Sequence, residues 1–372
     1  MNPIRAHVVG SMLRPPELLD AREQLRGGGL SAHDFRSLED RAVDRAIETQ
    51  EAAGIEVITD GELRRVDFME SLLGAVSGVE EVVSVGAAPV ADDSFWHRDD
   101  PDYQPKAWVP PAITDKIART SSLAGEEYSY ARAKTTRPVK VTLPSPVCML
   151  SFWSPEHSIS AYPNPLDLAQ DFAVVLREEI SHLAALGCQH IQLDAPELTV
   201  LVGDAQGFGP FAAAGFTRES FLDTEINILN GVASVPDVTF SVHLCRGNKE
   251  NEWHSAGGYE AISRELFPRL DTFDYFLLEF DGERSGGFEP LADVPDDKVV
   301  VLGLISTKHT EVEKPEALLR RIDEAARFHP REHLAISTQC GFASILFGNP
   351  VGEQAERQKL ELVGRVAREA WG

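Results

Sequence analysis

Residues 183–194 read Leu183-Ala184-Ala185-Leu186-Gly187-Cys188-Gln189-His190-Ile191-Gln192-Leu193-Asp194. Upstream, from Asp167 to Leu186, apolar residues recur at spacings of three and four, the period of an amphipathic helix. Gly187 stands just past that helix, where a residue of left-handed backbone commonly ends one. His190–Leu193 follows, short and rich in branched apolar residues, and Asp194 closes it. Helix, glycine stop and buried strand together form the repeating unit of a parallel β/α fold. Strands of that fold are covered on both faces and do not alternate strictly.

The same pattern extends in both directions. Candidate strands are His7–Val9, Glu56–Ile58, Val139–Leu143, His190–Leu193, Val238–Leu244, Tyr275–Phe280, Val299–Leu304 and Leu334–Ser337. Helical periodicity fills Asp40–Ala53, Asp167–Leu186, Glu219–Asn230, Gly258–Leu270, Pro315–Arg327 and Gly352–Ala370. Gly54 repeats the glycine stop, and Lys314-Pro315-Glu316 places proline and an acid in a first helical turn. Eight strands interleaved with helices predict a closed (β/α)8 TIM barrel, a fold of about 250 residues that grows past 400 with insertions. A doubly wound open sheet is the alternative. The chain of 372 residues is then a single catalytic barrel, 1–372, with an insertion at about 72–137 between strands two and three. Asp92–Asp102, acidic and aromatic, makes that insertion a candidate lid or homo-oligomer contact.

Composition narrows the function. Lys plus Arg number 35 against 59 Asp plus Glu, for a net charge of −24. Such a chain repels nucleic-acid phosphates and anionic membrane surfaces alike. No run of about 18 apolar residues is present to span a membrane. Met1–Gly10 carries Arg5 with no long apolar stretch behind it, so no signal peptide is expected. The four cysteines at 148, 188, 245 and 340 are far apart and form no CxxC pair. They read as reduced thiols of a cytoplasmic protein, Cys148 and Cys188 as core residues.

Barrel chemistry sits at the carboxyl ends of strands. Strand five ends Val242-His243-Leu244-Cys245-Arg246-Gly247-Asn248. Residues two apart on a strand share a face, so His243 and Cys245 form half of a zinc site. Strand six closes on Glu279, a carboxylate too costly to bury without a cation. Strand eight runs into Thr338-Gln339-Cys340-Gly341. The spacing of these residues is too wide for a zinc finger and natural for strands that converge on one mouth. Two thiolates and an imidazole make a soft site suited to activating a thiol, with Glu279 as a displaceable fourth ligand. Thr59-Asp60-Gly61-Glu62 and Asp194 place further carboxylates at strand ends, and Val9-Gly10-Ser11 ends strand one. Acids for an ammonium and backbone amides for a carboxylate would grip an amino acid. The plainer readings are a solvated turn at Asp60–Arg65 and a helix cap at Asp194.

In this order, Val9-Gly10-Ser11, Asp60-Gly61-Glu62 with Arg65 and Asp67, Pro138-Val139-Lys140, Ile191-Gln192-Leu193-Asp194-Ala195-Pro196, His243-Leu244-Cys245, Glu279 and Gln339-Cys340-Gly341 are specific. Over nearly its whole length the chain resembles the catalytic C-terminal half of cobalamin-independent methionine synthase. That family is a zinc-dependent (β/α)8 barrel of methionine biosynthesis, a methyltransferase carrying a methyl group from methyltetrahydrofolate to homocysteine. The resemblance implies that His243, Cys245, Glu279 and Cys340 bind Zn2+. It implies that Gly10, Ser11, Glu62 and Asp194 hold homocysteine.

The departures concern the methyl donor. The long enzymes carry a second, amino-terminal barrel, and this chain resembles the short single-barrel members. The family's folate-site Trp aligns with Phe152, beside Trp153. Its proton-donating His aligns with Lys308, beside His309, which makes Lys308 and His309 the candidate catalytic pair. Short relatives include enzymes fed by corrinoid donors and epoxyalkane:coenzyme M transferases, which open an epoxide with a zinc-bound thiolate. A catalytically silent binding barrel is the reading from another class.

Overall fold

A computed structural model describes residues 3–80, 111–203, 208–213 and 215–372. Six parallel strands form its centre: β3 (Lys140–Pro144), β4 (His190–Asp194), β5 (Thr239–Leu244), β6 (Tyr275–Glu279), β7 (Val299–Ile305) and β8 (Leu334–Thr338), hydrogen-bonded in that order. Two others, β1 (Val79–Glu80) and β2 (Ala112–Ile113), make a short antiparallel pair in the inserted segment.

The first two barrel positions differ from expectation. His7–Val9 and Glu56–Ile58 do not form ladders. Ala6 makes a single parallel bridge to Ile336 of β8, and Ile58 makes one to Val139 beside β3. Glu56 N donates to Ala6 O at 3.0 Å, which joins the two segments. Each runs within a few residues into a turn, at Gly10 and at Thr59-Asp60-Gly61, so neither is long enough for a regular ladder. Gly61 has a φ of 75°, a left-handed conformation that glycine adopts at little cost.

The fold is an α/β (β/α)8 barrel. Strand alternation divides its residues. Val141, Leu143, Ile191, Leu193, Phe240, Val242, Phe276, Leu278, Val300, Leu302 and Ile336 join the large outer core beneath the helices. Val9, Leu277, Val299, Val301 and Ala335 form a small separate cluster, with Tyr275 packed against it. Each fully buried side chain of this size contributes about 1.5–3 kcal/mol.

Most helices lie near their expected places: Pro165–Ala185, Arg218–Val232, Pro315–Ala325 and Glu353–Trp371. Ala32–Ala53 begins eight residues before the predicted Asp40. Ser31 caps it, accepting from Asp34 N at 3.1 Å, and Gly54 ends it at a φ of 85°. Gly258–Leu270 is not one helix but three short turns, Tyr259–Ala261, Ser263–Leu266 and Phe267–Arg269. Pro268 lacks the N–H that a continuous helix needs. A further helix, Gly125–Lys134, lies within the inserted stretch. That stretch is anchored by buried Glu179, which accepts from Arg119 at 2.6 Å, Ser122 Oγ at 2.8 Å and Ala124 N at 2.8 Å. Residues Asp92–Asp102, read as lid or oligomer contact, lie outside the described residues. No helix among the described residues is long and apolar enough to cross a membrane.

The last helix returns to the mouth. Glu356 accepts from Leu13 N at 2.7 Å, just after the Gly10-Ser11 turn. Burial, opposed by that hydrogen bond and assisted by Glu353, pushes its carboxyl up to about 8. The folded state then holds a proton that the unfolded chain releases near 4.5, so this group lowers stability as pH rises from about 4.5 to 8. Glu356→Gln removes that decline. Unfolding monitored at several pH values should show little change at pH 4 and a gain on the order of 4 kcal/mol at pH 8.

Candidate metal centre

β5, β6 and β8 deliver the four predicted ligands to one place. One ligand atom from each of His243, Cys245, Glu279 and Cys340 lies within 4.8 Å of the others, and all four residues are buried. His243 and Cys245 flank Leu244 on the same strand face. His243 Nε2 stands 3.9 Å from Glu279 Oε1, and the two sulfurs are 3.5 Å apart as free thiols. Tyr259 braces the strands behind them: its hydroxyl donates to Leu244 O at 3.1 Å and accepts from Glu279 N at 3.0 Å.

Three polar atoms here are left over. His243 Nε2 and both carboxylate oxygens of Glu279 are buried without a hydrogen-bond partner among the described residues. Buried polar atoms are almost always satisfied, and each exception needs a cause. Burial pushes the Glu279 carboxyl up, with Asp281 adding to it and His243, Arg284 and Lys308 opposing. The thiols divide: their mutual hydrogen bond and burial hold Cys245 up, while that same bond and His243 hold Cys340 down. Two sulfurs, one imidazole and one carboxylate suit zinc, so the residues fit the implied ion.

Asp194 lies behind His243. Its Oδ1 accepts from His243 Nδ1 at 3.0 Å, leaving Nε2 to face Glu279. Burial opposes the protonated ring, but Asp194, Cys340 and Glu279 together push the imidazole up to about 9. The Asp194 side chain caps no helix, because the turn Pro196–Leu201 begins without a side-chain cap.

Gly10, Glu62 and Asp194, read from the sequence as part of an amino-acid grip, lie near one another. Asp60, Glu62 and Arg65 are buried, so this turn is not the solvated one that a plainer reading allows. Glu62 takes a φ of 54°, and its Oε1 accepts from Thr142 Oγ1 at 2.7 Å. A β-carbon on Gly10 would overlap that same Oε1, so glycine is required there. Burial raises the Glu62 carboxyl, Arg65 opposes it, and the charge of Asp194 adds to it. Ser11 O accepts from Phe342 N at 2.8 Å, linking this turn to the loop that follows Cys340.

Lys308 and His309 part company. Lys308 Nζ donates to Gly247 O, Asn248 Oδ1 and Glu252 O, each at 3.1 Å, and so ties the loop after β7 to that after β5. His309 is exposed. Phe152 is buried, and Trp153 donates to Tyr162 O at 2.9 Å.

Some residues escaped the sequence reading. Cys148 is buried as expected, but its thiol donates to Glu197 Oε2 at 2.8 Å, beside a Ser145–Glu197 hydrogen bond. Thr142 and Tyr259 gave no signal. Lys140 did, as a lone cation in an apolar strand.

A parallel barrel carries at its carboxyl mouth a buried group of two thiols, an imidazole and a carboxylate that could hold a metal ion. Comparison with known proteins makes this specific. Residues 5–367 match the family described as cobalamin-independent synthase, catalytic domain, and the chain belongs to that family. It is 33% identical over 374 residues to the Bacillus subtilis (strain 168) "uncharacterized protein YxjH", covering 99% of this chain and 95% of that one. It is 25% identical to 5-methyltetrahydropteroyltriglutamate–homocysteine methyltransferase of Cronobacter sakazakii, covering 90% of this chain but 39% of that longer one. Among solved structures, the putative vitamin-B12 independent methionine synthase from Listeria monocytogenes superposes with a TM-score of 0.74 at 28% identity, covering 100% and 99% of the two chains. The B12-independent methionine synthase from Shewanella sp. W3-18-1 gives 0.74 at 21% identity, with coverage of 98% and 97%, and supports the fold.

Gly10→Ala should leave zinc content unchanged and lower the unfolding temperature, because its β-carbon pushes the buried Glu62 carboxylate off its Thr142 hydrogen bond without touching the four metal-competent residues. KM for an amino-acid thiol should rise about 10- to 100-fold, since about 1 Å of misplacement carries a cost of that order. Steady-state kinetics beside metal analysis checks this.

Proposed function

We propose that this chain is a zinc-dependent S-methyltransferase that methylates homocysteine to methionine as one catalytic barrel. One observation carries the reading: four metal-competent side chains converge in a buried site where His243 Nε2 and both Glu279 oxygens have no other partner. The family membership agrees with it. His243, Cys245, Glu279 and Cys340 would hold the ion. When bound, zinc would supply the positive charge that lets a thiol ionise near neutral pH.

The chain's own groups do the rest. Glu62 and Asp194 provide negative charge for the ammonium of the acceptor, and the Gly10-Ser11 turn seats its carboxylate. Their burial excludes water and strengthens these contacts. In the reaction the acceptor's sulfur forms the new S–C bond. The bond from the methyl carbon to its carrier breaks, and the carrier leaves with that electron pair and a proton. We place His309 as the proton donor and Lys308 as the group that holds the surrounding loops, since all three Lys308 N–H groups are engaged. Two buried carboxylates favour an amino-acid thiol over coenzyme M, which has a sulfonate and no ammonium.

Two measurements test this. Metal analysis of zinc-replete protein should give about one zinc per chain, falling below about a tenth of that for Cys340→Ser after dialysis. Alkylation assays should pair homocysteine and coenzyme M with folate, corrinoid and epoxide donors. Glu62→Gln should raise KM for homocysteine about 10-fold, the loss of one charge-assisted contact, and leave thiols without an ammonium unaffected. Zinc-free protein overturns the mechanism, and epoxide opening by coenzyme M alone moves it to the second thiol.

A further inference from the structure

Lys140 and Gln192 are buried inside the barrel and play no part in the reading above. Lys140 begins β3. Gln192 lies on β4, paired in register with Thr142. Their contacts run in one direction. Lys140 Nζ donates to Val8 O at 2.6 Å and to Gln192 Oε1 at 2.5 Å. Gln192 Nε2 then donates to Asp194 Oδ1 at 2.7 Å. That oxygen is the one that accepts from His243 Nδ1 at 3.0 Å.

The chemistry of the groups fixes the polarity of this chain. An amide is nearly symmetric in shape and can face either way. While it is protonated, Lys140 has donors and no acceptor, and Gln192 turns its oxygen toward it. Its NH2 group must then face Asp194. Two donors, Gln192 Nε2 and His243 Nδ1, now converge on the same carboxylate oxygen, which places a proton of His243 on Nδ1. When the ring gives up its second proton, as it must to bind a metal, Nε2 is the nitrogen whose lone pair faces Glu279 and the thiols. Reversing the amide would set donor against donor at Lys140 and acceptor against acceptor at Asp194, among buried groups.

The cation is costly where it lies. Burial pulls Lys140 down to about 7, although the charges of Asp194 and Glu62 work to raise it. Among the described residues no carboxylate lies within ion-pair distance of it. An unbranched apolar side chain would fill the same space without that desolvation. Asp194 Oδ2 receives no hydrogen bond among the described residues and stays available at the mouth.

We propose that Lys140, acting through Gln192, is a positioning residue that sets the polarity of the Asp194–His243 pair. It thereby readies Nε2 for the metal and Oδ2 for the acceptor's ammonium. The proposal rests on the zinc reading above.

A double-variant cycle on zinc affinity tests it, by competition with a chromophoric chelator and with near-UV circular dichroism as the check on folding. Gln192→Met keeps the side-chain length and removes the relay. It should weaken zinc about 10-fold, the low end for outer partners of a metal-binding histidine. Lys140→Met should weaken it by a similar or smaller factor. The double variant should match Gln192→Met within about twofold, because the second change breaks a link already cut. Factors that multiply in the double variant would show that Lys140 acts only by holding the barrel together and would overturn the proposal. So would unchanged zinc affinity in folded Gln192→Met, which decides alone if Lys140→Met does not fold. Wild-type protein that takes up no zinc overturns the zinc reading and this proposal with it, a result distinct from a binding wild type with indifferent variants.

Discussion

The hydrogen bond from His243 Nδ1 to Asp194 Oδ1 is the joint on which the site depends. It joins the metal-competent cluster of β5, β6 and β8 to the carboxylates that would hold an amino acid. It exists because β4 and β5 are parallel neighbours in a register that places Asp194 directly opposite His243. A one-residue slip would turn both side chains into the outer core. The ladder therefore sets the chemistry as well as the fold. The residues behind it follow the same rule, since Gln192 and Lys140 share the inner face with Asp194 and Thr142.

Burial explains why so many charged groups are tolerated here. Glu62, Asp194, Glu279, Arg65 and Lys140 are all nearly inaccessible, in a chain whose net charge is −24. Arg65 donates to Glu127 at 2.8 Å and to Thr142 O at 3.0 Å, and it offsets the acidic side. Among the described residues Glu279 has no such hydrogen-bonded cation, and His243 Nε2 stands 3.9 Å away. A buried carboxylate without a hydrogen-bond donor is among the costliest arrangements a protein can carry. The surrounding barrel supplies the stability that holds it, through an outer core continuous from β3 to β8.

Much of this was legible in the sequence. Apolar runs punctuated by Gly54 and Gly187 revealed the alternation of strand and helix, and chemistry-bearing residues at strand ends pointed to the four side chains that converge at the mouth. Four of the six helices lie within a few residues of their expected places, and a fifth, Ala32–Ala53, starts eight residues early. The departures have physical causes. Three-residue segments at barrel positions one and two carry strand composition but are cut short by turns, which composition does not show. Pro268 broke a periodic pattern that otherwise looked helical. Lys308 aligned with a proton donor, yet its three acceptors lie on the β5 loop, and no local pattern could announce that. Cys148 read as a small hydrophobe because its partner Glu197 is 49 residues away.

The central claim is that the cluster is a metal centre open to an incoming thiol. X-ray absorption at the zinc edge, with and without homocysteine, addresses it most directly. The account predicts two sulfur ligands with nitrogen and oxygen in the resting protein, from Cys245, Cys340, His243 and Glu279, and a third sulfur when homocysteine is added. A coordination sphere that holds all four protein ligands and gains no sulfur at saturating homocysteine would contradict it.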